Sequence, residues 1–156
     1  MTQGGMFGKV NSIDFAIYLN KKATEQGMDV NVTKIQKWLY ICYGLYLARF
    51  NEQLLDERPQ AWKYGPFFPK VHDVQKSNDD SLDSLFGNID AAKFEEYDDV
   101  INATLKNFGD WSASQLVNWT HEKGCAWDKK INLGEMLGSM DNHDIALDFK
   151  RLFSNG

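Results

Sequence analysis

Residues 32–50, VTKIQKWLYICYGLYLARF, decide the fold. Ile35, Trp38, Leu39, Cys42, Leu45 and Tyr46 recur at spacings of three, four and seven, the period of an α-helix. Thr33 followed by Gln36 is a capping-box pattern that would start it. Past Lys37 the segment is apolar nearly all round, the pattern of a helix covered by neighbours on several sides. Gly44 in its middle costs about 1 kcal/mol relative to Ala, and a close helix crossing would explain its presence. Lys34 and Lys37 are expected as a surface pair, with Lys37 in reach of a backbone carbonyl downstream. The longest uncharged apolar run, Trp38 to Ala48, is too short to span a bilayer and suits a buried helix.

The flanking segments read as further helices. Residues 1–10 form a Gly-containing lead-in with no apolar signal segment, so residues 11–156 are expected as one cytoplasmic domain. Asn11, with Asp14 three residues on, caps a helix that Gly27 ends. Phe94, Tyr97, Ile101, Leu105 and Phe108 place one amphipathic helix across residues 91–109, stopped by Gly109. Asp110 or Ser112 caps the next. Residues 125–139 are irregular or briefly helical. Ile145, Leu147, Phe149, Leu152 and Phe153 supply the packing face of a last helix. The expectation is an all-α bundle of five to six helices, with one short β-hairpin or extended corner near residues 53–64.

That corner is the segment QAWKYGPFFPKVHD, residues 60–73, with two of the three prolines and four aromatics. Gly65 supplies a permissive turn, and Pro66 fits the first turn of a following helix. Two readings of its aromatics stay open. Trp62 and Tyr64 plug a gap between helices, or the stiff loop is a docking edge, since rigid Trp and Tyr anchor many interfaces. As a docking edge it would present Trp62, Lys63, Tyr64, Phe67 and Phe68.

The chain is acidic, with a net charge of −5, which argues against broad nucleic-acid binding. The charge is uneven. Residues 1–76 carry ten Lys and Arg against seven acids, and residues 77–156 carry seven against fifteen. Between Asp79 and Asp99 there are eight acids and one Lys. This run is a solvated face, or a surface, beginning at Asp79, Asp80 and Asp83, that steers a basic partner.

Two cysteines, Cys42 and Cys125, with no secretory segment suit a reducing compartment. His121 and Cys125 lie four apart, short of the paired spacing of a zinc site. No Gly-rich phosphate loop is present: neither the N-terminal TQGG nor GEMLGS at 134–139 matches. Neither metal nor cofactor is expected. His121 is assigned to hydrogen bonding within the bundle, and Cys125 to packing.

Three blocks taken in order resemble the Panacea domain family, also called the SocA-like or phage-associated GepA-like domain. The first holds Thr33, Gln36, Lys37, Leu39 and Tyr40. The second holds Ala61, Trp62, Tyr64, Gly65 and Pro66, and the third Thr120, His121 and Trp127. The resemblance runs over residues 11 to 153. It departs at Trp38, where a Leu is usual, and at Cys125, where a small residue beside a Pro is common. It implies an antitoxin that holds a cognate protein toxin in an inactive complex, with no catalytic residue, and in some members hand-over of the toxin to a AAA+ protease. It leaves the toxin and the oligomeric state open. Two rivals are a phage-encoded binder of an unrelated host factor and a small hydrolase using His121 with nearby carboxylates.

Overall fold

The computed structural model describes residues 10–134 and 138–153, the side chain of Phe153 excepted. The lead-in through residue 9, Glu135 to Leu137 of the GEMLGS segment, and the packing role expected of Phe153 lie outside the described residues. Among the described residues there are seven α-helices: α1 (Ser12–Glu25), α2 (Val32–Phe50), α3 (Pro69–Ser77), α4 (Asp98–Phe108), α5 (Ala113–Thr120), α6 (Ala126–Asn132) and α7 (Asn142–Phe153). Two 3-10 helices, Asp83–Asn88 and Ala91–Tyr97, link α3 to α4. One antiparallel hairpin pairs β1 (Gln60–Trp62) with β2 (Gly65–Phe67). The all-α bundle with a small hairpin is therefore present. The hairpin lies a few residues later in the chain than expected.

Helix α2 is the axis of the bundle and touches α1, α3, α4, α5 and α7. Trp38, Leu39, Ile41, Cys42 and Tyr43 are completely buried on it. All-round apolarity in the sequence thus becomes all-round coverage. The expected crossing at Gly44 is real: a Cβ built there would lie 2.1 Å from the ring of Phe149 on α7. The α2–α7 contact needs a residue with no side chain at that point. Trp38 sends its indole N–H to the Phe108 carbonyl at the end of α4, 3.2 Å away, satisfying a terminal carbonyl that a Leu could not reach.

Several local expectations are corrected. The cap of α2 is Asn31, whose side chain accepts from the Lys34 amide, and not the Thr33/Gln36 box. Gln36 is committed elsewhere. The proline that opens α3 is Pro69, while Pro66 lies in β2, opposite Ala61. Pro69 needs no amide partner at N1, and Phe68 before it is extended, as a residue preceding proline prefers. The expected helix over 91–109 divides into a 3-10 turn and α4, with Phe94, Ile101, Leu105 and Phe108 still buried on one face. Leu147 and Leu152 of α7 are exposed, so its packing face is narrower, built on Ile145 and Phe149. Lys34 and Lys37 are not a surface pair. Both are buried, Lys34 with its ammonium 5.2 Å from the centre of the Trp38 ring.

The remaining caps follow the sequence. Asn11 accepts from the Asp14 amide. Gly27 follows α1 with a φ of +77°. Ser112 and Gln115 form a reciprocal capping box at α5. Among the described residues no helix is long and apolar enough to cross a membrane.

Candidate functional site

The hairpin corner, residues 60–68, is fastened by side chains from three other elements. Gln36 on α2 reaches it with both ends of its amide: Oε1 accepts from the Phe68 N–H at 2.7 Å, and Nε2 donates to the Phe68 carbonyl at 3.1 Å. One turn position on, the Lys37 ammonium donates to the Pro66 carbonyl at 3.1 Å. Trp127 on α6 donates its indole N–H to the Trp62 carbonyl at 2.7 Å. His121, the C-cap of α5, has Nε2 3.2 Å from the Lys63 carbonyl and its ring against Trp127, with centroids 3.8 Å apart. These contacts tie the backbone of the corner to α2, α5 and α6. Four of the residues that carry the family resemblance, Gln36, Lys37, His121 and Trp127, are therefore pins of this corner, and five more lie in the corner itself.

Gly65 is required there twice over. Its φ of +113° is a conformation that side chains resist, and a Cβ would sit 2.7 Å from Thr120 Oγ1 and 3.1 Å from Lys37 Cε. Tyr40 lies deeper, buried edge-on to Phe149 with centroids 5.6 Å apart. Thr33 makes no cap and stands on the wall of the cavity described next.

The pinned backbone sorts the aromatics, and the plug reading is corrected. Phe68 is the buried aromatic of the corner, along with Ala61, Gly65 and Pro66, whereas Trp62 is half-buried and Tyr64 is 65% exposed. Phe68 thus holds the corner and is withdrawn from the docking set. Trp62 lies over Phe67, with centroids 4.0 Å apart and planes at 25°, and gives its N–H to Gln60 Oε1. Tyr64 stands at the turn with the Lys63 ammonium 5.4 Å from its ring centre.

Under this stack opens a cavity of about 600 Å³, within the range of small-ligand pockets. Its walls come from the start of α2 (Val32, Thr33), the hairpin (Trp62, Phe67), α3 (His72) and α5 (Ala113, Val117). Lys37 forms part of its floor and is 3% exposed. Burial pushes the Lys37 ammonium down from 10.5 to about 8. The contributions of α3 and α5 were not foreseen. The four-residue spacing of Ala113 and Val117 on a capped helix is the signal that could have found one of them.

The acidic segment lies at the other end of α3. Asp79 and Asp80 are exposed with φ of 54° and 65°, and Asp80 pairs with Lys76 at 3.0 Å. Asp83 accepts from Asn20 of α1 at 2.7 Å. Asp98 accepts from the Tyr18 hydroxyl at 2.6 Å and lies 3.8 Å from Lys22. Asp83 ties the first 3-10 turn to α1 and Asp98 ties the start of α4 to it, while Asp79 carries no such contact.

The remaining reactive types have structural tasks. The Cys125 thiol donates to the Thr120 carbonyl at 3.3 Å and is raised by burial. Asp148, nearly buried, accepts from the Ala126 amide at 2.7 Å and meets Arg151 at 3.1 Å. Among the described residues no three His, Cys, Asp or Glu stand together to hold a metal ion.

A family model described as "Antitoxin SocA-like, Panacea domain" matches residues 35–128. Antitoxin SocA of Caulobacter vibrioides (strain NA1000 / CB15N) is 28% identical over 122 residues, which cover 71% of this chain and 65% of that protein. The chain therefore spans just under two thirds of that relative. No solved structure matches.

Proposed function

The chain belongs to the SocA-like Panacea family, and we propose that it is an antitoxin that neutralises a cognate protein toxin by direct contact at the hairpin corner. One observation carries this reading: Lys63 and Tyr64 stand exposed on a turn whose backbone is fixed from α2, α5 and α6. A loop already held in place loses little conformational freedom on binding, which is what makes an aromatic anchor effective. Masking needs a complementary surface and no reacting group, so the chain is read as a non-enzymatic binder. The His121 ring is occupied between Lys63 and Trp127, which supports a fastening role over that of a base. Asp79, the least engaged of the segment's leading acids, is assigned to electrostatic steering of the encounter, with Asp80 and Asp83 alongside.

The test is co-purification and growth rescue with the product of the adjacent reading frame. Tyr64→Ala with Lys63→Ser should abolish both while leaving the circular dichroism spectrum and melting temperature unchanged. Rescue that survives this double change removes the corner from the interface. Under masking the toxin persists in the cell at an unchanged lifetime. A toxin that disappears when this chain is present, and is restored by loss of a AAA+ protease, makes the chain a delivery adaptor instead.

A further inference from the structure

The cavity beneath the corner has a charge pattern opposite to that of the whole molecule. The chain carries a net −5, yet among the described residues no Asp or Glu lines this space, while Lys37, Lys63 and His72 do. The Lys37 ammonium is buried with one carbonyl, that of Pro66, as its protein partner. A buried ammonium supported by a single neutral acceptor is held against a large desolvation cost, which an opposite charge would offset. Two helices, α2 and α5, also begin at the cavity wall, through Val32 and Ala113. The caps Asn31 and Ser112 take the amides of Lys34 and Gln115, and the positive end of each helix dipole favours negative charge near it.

We propose that this cavity is a binding pocket for a monocarboxylate carried on an apolar or aromatic group, with Lys37 as its charged floor. One buried ammonium balances one carboxylate, whereas the second charge of a phosphate would have only Lys63 at the exposed rim to offset it, and a polyanion would meet the repulsion of the whole chain. Trp62 and Phe67 supply a stacked face for the apolar part of the ligand, and Lys63 at the exposed rim attracts its charge. The carboxylate can come from a chain terminus or from a small free acid, because both present the same group on an apolar stem. The inference requires the cavity and the ammonium alone, so it stands or falls independently of any toxin.

The probe is hydrocinnamate, a phenyl ring on a short chain ending in a carboxylate, titrated into nitrogen-labelled protein, with the neutral amide hydrocinnamamide in parallel. The expected result is saturable shifts centred on the Trp62 indole N–H and the Phe67 amide, with the amide binding at least about tenfold more weakly, about 1.4 kcal/mol. Lys37→Met should bring acid and amide to equal affinity. Where that variant fails to fold, the comparison of acid with amide on the unmodified chain decides alone. Equal affinities on the unmodified chain, shifts centred elsewhere, or no saturable shift up to about 10 mM, a concentration at which even weak fragments bind, overturn the proposal. N-acetyl-alanyl-phenylalanine and its C-terminal amide separate the sources. Preference for the free acid over its amide assigns a chain terminus, and binding of hydrocinnamate without the dipeptide assigns a small free acid.

Discussion

The two ends of α3 carry the two most conspicuous stretches of the chain, and they are built in opposite ways. At its start, the corner is fixed by contacts from residues far away in sequence, buried for Gln36 to Phe68 and Lys37 to Pro66 and part-buried for Trp127 to Trp62. At its end, about 13 Å away by helical rise, the acidic turns are held by exposed or part-exposed pairs, Lys76 with Asp80 and Asn20 with Asp83. The corner is rigid because its backbone bonds are shielded from water, where each lost partner is expensive. The acidic segment keeps its shape through contacts that water can replace. A concentration of charge thus marks a surface, while a concentration of satisfied backbone groups marks the place where a surface is held still.

The largest test of this contrast lies inside the corner. Phe68→Ala should destabilise by about 3–5 kcal/mol, as a fully buried aromatic does, and Trp62→Ala by less than half as much. Urea unfolding of the two variants checks the order, and equal losses would return Trp62 to the core.

Next comes the pH response of Lys37. Below pH about 8 it is charged in folded and unfolded chains alike, and the burial penalty is fully present. Between about 8 and the ordinary value of 10.5 the folded chain has released the proton while the unfolded chain retains it, so stability rises with pH. Cys42, pushed up by burial from 9.0 to about 12, works in the opposite sense above pH 9.0. The gap between the unmodified chain and Lys37→Met isolates the lysine, and it should move in favour of the unmodified chain by up to about 3 kcal/mol across the window. Urea titrations of both proteins at pH about 7 and about 10 measure it. A gap that stays constant would mean the ammonium is hydrated in solution.

Gln36→Leu should cost about 1–3 kcal/mol, the penalty of orphaning a buried donor. The Phe68 N–H is stranded and the buried Gln75 Oε1 loses its 3.4 Å contact with Gln36 Nε2, while the Phe68 carbonyl still accepts from the His72 amide at 3.0 Å. Thermal melts with hydrogen exchange at the Phe68 amide read both the loss and its location.

The smallest effect belongs to the acids. Neutralising Asp79, Asp80 and Asp83 to Asn together should change stability by no more than about 1 kcal/mol, since Asn tolerates the left-handed conformation at 79 and 80. Stopped-flow association with the neighbouring gene product should slow for this variant and lose much of its salt dependence, with dissociation nearly unchanged. An on-rate that is the same for both proteins and insensitive to salt takes the acidic segment out of the mechanism.

The sequence by itself determined the helices that depend on near neighbours. The all-round burial of α2, the Asn11 and Ser112 caps and the stop at Gly27 are all set by residues within a few positions of one another. Gly44 also announced its crossing, because an unfavourable residue in a helix needs a reason. The interior-or-exterior fate of Trp62, Tyr64 and Phe68, and the burial of Lys34 and Lys37, belonged to the tertiary structure. No period of two or of 3.6 runs through a Gly-Pro turn, so the pattern assigns no face to its aromatics. Lysine at a surface-like helical position reads as solvated until a backbone carbonyl from 29 residues away is brought over it. Which face a short corner buries is settled by where its unpaired backbone groups find partners, and those partners come from α2, α5 and α6.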